Sequence, residues 1–119
     1  MAIPEPGGHY SAFVKSGGFL FTSGQLPIVN AETKECPPGV EEQTLVVLQK
    51  IEDILASEGL DRRHVIKTTA FISDGSDWAA VNRVYAEFFG RHKPARSIVP
   101  VRELHFGCKI EVEAIAAIP

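Results

Sequence analysis

Residues 64–101, "HVIKTTAFISDGSDWAAVNRVYAEFFGRHKPARSIVPV", carry the change of periodicity that decides the fold. The stretch 64–73 is β-branched and aromatic, the composition of a buried strand. Ser76 or Asp77 then stands where a helix N-cap belongs. Trp78, Val81, Tyr85, Phe88 and Phe89 follow as an apolar stripe at helical spacing, ending at Gly90. Strand character returns over 96–101, and Pro94 and Pro100 punctuate its two ends.

The flanks extend the pattern. Beyond the stretch, 108–116 reads as a strand whose period of two puts Ile110, Val112, Ala114 and Ala116 on one face, with Glu111 and Glu113 on the other. Before it, a helix begins at Val40, with Thr44, Val47, Leu48, Ile51 and Leu55 on one stripe. Glu41 and Glu42 suit its positive end and Gly59 stops it. Two short β segments, 10–15 and 19–23, flank Ser16-Gly17-Gly18, where paired glycines supply positive φ for a hairpin. Residues 1–9 form a Pro- and Gly-rich arm, and 28–39 a loop. The order β-β-α-β-α-β-β predicts one α+β domain over residues 1–119, a mixed sheet with two helices packed on one face. The other face is then left bare, and a partner subunit is the simplest cover.

Composition narrows the function. The net charge of −3 and a pI near 5.8, with no more than two adjacent basic residues, argue against nucleic-acid binding. No apolar run nears the roughly 18 residues of a membrane span, and "MAIPEPGGHYSAF" lacks a secretory pattern, so the expected location is the cytoplasm. Cys36 and Cys108 suggest no disulfide framework and read as two reduced thiols. The phosphate-cradling GxxxxGK[ST] pattern is missing, and His9, His64, His92 and His105 have no metal-ligand spacing. The expectation is chemistry without metal or cofactor.

A few polar residues stand at the edges of apolar elements. Arg96 opens a strand, where a guanidinium is either a solvated end charge, an ion-pair member (with Glu111, for instance), or aimed at an anion. Ser23-Gly24 closes another strand, where a hydroxyl and an approachable backbone can meet a ligand. Asn82 borders the second helical stripe. Trp78, Phe88 and Phe89 are expected in the core.

The segments "SGQLP", "VIKTTAFISD", "WAAVNRVYAEFF", "PARSIVPV" and "IEVEAIA", in this order from Tyr10 to Ala116, resemble the RidA/YjgF family, also called the endoribonuclease L-PSP family. The resemblance implies a chorismate-mutase-like fold and a homotrimer with ligand clefts between subunits. It also implies cofactor-free hydrolysis of enamine or imine intermediates, such as 2-iminopropanoate and 2-iminobutanoate, to 2-oxo acids and ammonia. By position it makes Arg96 the carboxylate-binding residue and Glu111 the residue that orients or activates water. Tyr10, Ser23, Gly24 and Asn82 become ligand-side residues, and Ile98 a contributor through its main chain. Two loops depart from the family pattern: His9 replaces a proline in "GGHY", and His105 replaces one in "LHFG". No catalytic role is assigned to either histidine.

The residue types suit the reaction. A guanidinium grips a carboxylate with two parallel charge-assisted bonds, fixing an imino acid as a lysine cannot. One carboxyl group within hydrogen-bond reach can take a proton from water and return it to the departing nitrogen. The alternatives are a binding protein for a 2-oxo acid or other metabolite, and the RNA cleavage or translation inhibition that the older family name implies, against which the acidic pI weighs.

Overall fold

The computed structural model describes residues 3–119. The hairpin pairs β1 (Phe13–Ser16) with β2 (Phe19–Thr22) through Gly17 and Gly18 at φ +60° and +84°. Positive φ at both turn residues matches the twist of the flanking strands, and only glycine adopts it freely. β1 starts three residues later than expected, because the chain at Tyr10 is still turning: its amide donates to the Gly8 carbonyl at 3.0 Å.

α1 (Val40–Ser57) buries Thr44, Val47, Leu48, Ile51 and Leu55, and adds Gln43 and Ile54 to that stripe. β3 (Val65–Ile72), α2 (Trp78–Phe89), β4 (Ala95–Pro100) and β5 (Ile110–Ala117) complete the chain. One expectation about α2 holds in part and one needs correction. Asp77 holds the N-cap position as expected but makes no capping bond; the Asp74 carboxylate instead accepts from the Ser76 amide at 2.9 Å and hydroxyl at 2.7 Å, capping a 3-10 turn that leads into the helix. Trp78 is not core but 46% exposed, because the helix has only just begun there and the buried stripe starts at Val81.

The sheet runs β1-β2-β5-β3-β4, with β3 and β4 parallel and every other pair antiparallel. Ala70 and Ile72 of β3 join Ile110, Val112, Ala114 and Ala116 of β5 in one core with the buried stripes of both helices. Both helices therefore cover the same face of the sheet. The opposite face exposes Val14, Phe19, Phe21 and Val99. No helix among the described residues is long and apolar enough to cross a membrane.

One irregularity positions the site. Phe21 faces Ile115, yet Gln25 faces Val112, so the chain leaving β2 holds one residue more than its partner. The side-chain oxygen of Thr22 accepts from the Ala114 amide at 3.0 Å, replacing a main-chain partner across this bulge. Ser23 and Gly24 sit at the bulge.

Candidate functional site

Arg96 lies on β4, an edge strand, opposite Thr68 of β3. Thr68 is buried on the helix side, so the pleat sends the Arg96 side chain toward α2. Its Nη1 donates to Asn82 Oδ1 at 2.9 Å. The guanidinium carbon stands 4.8 Å from the centre of the Tyr85 ring and 5.4 Å from that of Trp78. Trp78, Asn82 and Tyr85 are four and three positions apart on α2, so one helix face provides the whole cradle. The Tyr85 hydroxyl is fixed in turn by a short hydrogen bond to Thr68 Oγ1. Burial pushes the Tyr85 hydroxyl's pKa up, against the Thr68 bond and the Arg96 charge, so it stays protonated. Among the described residues Arg96 forms no ion pair. The alternative in which Glu111 neutralises it is not met.

Glu111 belongs to β5 opposite Phe71, one pleat out of phase with the buried Ile110 and Val112, and so points to the open face. Its carboxylate folds over Gly24, where a Cβ would stand 2.9 Å from Glu111 Cδ. A side chain at position 24 would displace it. Burial raises the Glu111 pKa, the neighbouring Glu113 charge adds to that, and His105 opposes it. Ser23 donates its hydroxyl to the Ser11 carbonyl at 2.6 Å, and its amide binds the Ala12 carbonyl at 2.9 Å. Ser23 thus ties down the stretch that leads from Tyr10, whose ring is exposed. Tyr10 and Gly24 line a cavity of about 660 Å³, walled also by His105, Phe106, Lys34 and Lys50.

The anticipated residues therefore fall into two groups. Arg96 and Asn82 meet beside α2, and the Ile98 side chain packs against the core on that same face. Glu111 and Gly24 meet toward the other face, while Gly24 and Tyr10 line the cavity that reaches Lys50, Asp53 and Ile54 of α1, and Ser23 is bonded to the Ser11 carbonyl. The sheet separates the groups within one chain. Sequence reasoning missed Trp78 and Tyr85 as ring neighbours of the guanidinium. Their spacing with Asn82 was a usable signal, obscured because both rings also continue the core stripe. It also missed Gln43, a buried amide that receives the Lys109 amide at 2.8 Å and donates to the Pro37 carbonyl at 2.7 Å.

The family model of endoribonuclease L-PSP matches residues 2–118. The chain belongs to the L-PSP family. A RutC family protein of Pyrococcus horikoshii is 46% identical over 114 residues, covering 95% of this chain and 90% of its own. The chloroplastic Reactive Intermediate Deaminase A of Arabidopsis thaliana is 37% identical over 115 residues, covering 97% of this chain and 62% of its own. Among solved structures, Escherichia coli TdcF with bound serine matches with a TM-score of 0.89 at 39% identity, covering 98% of this chain and 93% of that one. The L-PSP fold, two helices on a five-stranded mixed sheet, is thus the fold of this chain, and deaminase is a name carried by relatives within its family.

Proposed function

We propose that the protein is a cofactor-independent imine deaminase that hydrolyses 2-iminopropanoate- and 2-iminobutanoate-type imino acids. The observation that carries this reading is Arg96: a half-buried guanidinium, oriented by Asn82 and two rings, with no carboxylate partner among the described residues. A built cradle that leaves the charge unmatched suits an incoming carboxylate, held by two parallel bonds. Glu111 supplies the acid–base function. It accepts a proton from water as the oxygen attacks the C=N carbon and returns it to nitrogen, giving the carbinolamine; it then takes the carbinolamine hydroxyl proton and delivers it to nitrogen as C=O forms and the C–N bond breaks. The products are a 2-oxo acid and ammonia, so atoms and charge balance. A raised pKa suits a carboxyl group that must both hold and release a proton.

The opposite placement of Arg96 and Glu111 leads to the assembly. A site holding both needs Arg96 from one copy and the Glu111–Gly24 pair from another. The bare apolar face around Phe19 and Phe21 favours such association, and we take the assembly to be a homotrimer with a site at each interface. The serine-bound TdcF structure favours small-molecule binding as a second reading, in which the cleft retains a metabolite without turnover.

Ammonia release from enzymatically generated 2-aminoacrylate tests the two together. Faster release than buffer alone, abolished in Arg96→Ala, is the expected result. Release no faster than buffer, with 2-oxobutanoate still bound in an Arg96-dependent manner, would leave only the binding reading.

A further inference from the structure

Cys36 and Cys108 lie 72 positions apart in the chain, yet their Sγ atoms stand 3.6 Å apart, one thiol hydrogen-bonded to the other. Both are free. Cys108 is 1% exposed, whereas Cys36 is half-buried in the loop before α1. The side chain of Gln43 fixes both neighbourhoods at once. Its amide nitrogen holds the Pro37 carbonyl and its oxygen holds the Lys109 amide, the residues that follow each cysteine. A space-filling buried thiol is ordinarily inert. Here one accessible and one sequestered thiol are set face to face.

We propose that Cys36 and Cys108 form an oxidation site at which a hydroperoxide produces an intrachain disulfide. The order of events follows exposure. Cys36 attacks the peroxide O–O bond, becoming a sulfenic acid and releasing the alcohol or water. Cys108 then attacks the Cys36 sulfur, and the sulfenic hydroxyl leaves as water with the Cys108 proton. Two electrons pass from the sulfur pair to the peroxide, and no other reductant is needed. Burial and the Cys36 contact push the Cys108 thiol up to about 12, so it waits as the protonated partner, while the Lys50 charge opposes that rise and favours the thiolate. The sulfurs must approach from 3.6 Å to about 2.05 Å. The new bond would join the 28–39 loop to the 104–108 turn, two walls of the cavity that Lys34 already bridges, its ammonium 5.7 Å from the Phe106 ring centre.

The test is peroxide treatment of the purified full chain at about tenfold excess, followed by non-reducing mass spectrometry and thiol titration. The expected product is a monomeric chain lighter by about 2 Da, with a single Cys36–Cys108 cross-linked peptide and both thiols recovered by dithiothreitol. Cys108→Ala should hold Cys36 as a sulfenic acid that dimedone traps, and Cys36→Ser should protect Cys108 from oxidation. Persistence of both thiols, oxygen addition without a cross-link, or disulfides only between chains would each overturn the proposal. Loss of Cys108 in Cys36→Ser at the wild-type rate would overturn the order of events.

Discussion

Arg96 is held by a neutral amide and two aromatic rings, so its positive charge remains available for a ligand. Replacement by lysine keeps the charge but loses the planar fork. Both Arg96→Ala and Arg96→Lys should therefore lower kcat/KM by about 10²-fold or more, measured by ammonia release, with unchanged circular dichroism. Glu111 makes a different prediction, because its pKa is raised by burial and by Glu113. The folded state binds this proton more tightly than the unfolded state. Stability is therefore greatest below the ordinary glutamate pKa and falls as pH rises through the raised value. Glu111→Gln should flatten that part of the stability-versus-pH curve in urea titrations and abolish ammonia release. These two residues were legible in the sequence because a charge beside β-branched strands is unusual and a known pattern singled out the same positions. What surrounds them was not legible. No spacing rule reveals that Gly24 leaves room for the Glu111 carboxylate, since that proximity arises from a bulge between segments 87 positions apart.

α2 serves two masters: Val81, Tyr85, Phe88 and Phe89 enter the core, while Trp78, Asn82 and the face of the Tyr85 ring surround the guanidinium. Two substitutions separate these duties. Trp78→Ala should change unfolding free energy by less than about 0.5 kcal/mol, as an exposed residue would, yet raise KM for the imino acid. Tyr85→Phe leaves the buried Thr68 hydroxyl without its partner and should cost about 1–3 kcal/mol of stability in chemical denaturation. Both helices, the glycine hairpin and the alternation of β5 were readable because period and turn chemistry are local properties. The errors also have local causes. Trp78 looked like core because its ring continues an apolar stripe, and the helical reading does not say where burial begins. The capping bonds fall to Asp74 and not to Asp77 because a 3-10 turn precedes the helix. The Cys36–Cys108 contact depends on how the loop before α1 meets the turn before β5, which no element reports by itself.

At the scale of the molecule, the sheet is a partition. Helices cover one face, and the other presents Val14, Phe19 and Phe21 beside Glu111's strand. Val14 and Phe21 face each other across the hairpin, so these are neighbouring and not isolated exposed side chains. Phe21→Glu should dissociate the assembly in sedimentation experiments and abolish activity while leaving the helix-side core, and hence far-ultraviolet dichroism, intact. The sequence pointed to a bare face from the count of helices and strands, but the side on which each site residue falls needed the strand register. That register sets Arg96 with Thr68 on the helix side and Glu111 with Phe71 on the open side. The central claim is that catalysis joins Arg96 of one copy to Glu111 of another. Mixing inactive Arg96→Ala with inactive Glu111→Gln under conditions of subunit exchange tests this most directly. A shared site predicts that activity returns to about one quarter of wild type in an equal, randomly exchanged mixture, since that fraction of interfaces combines an intact arginine with an intact glutamate. A mixture that exchanges subunits and stays inactive would contradict it.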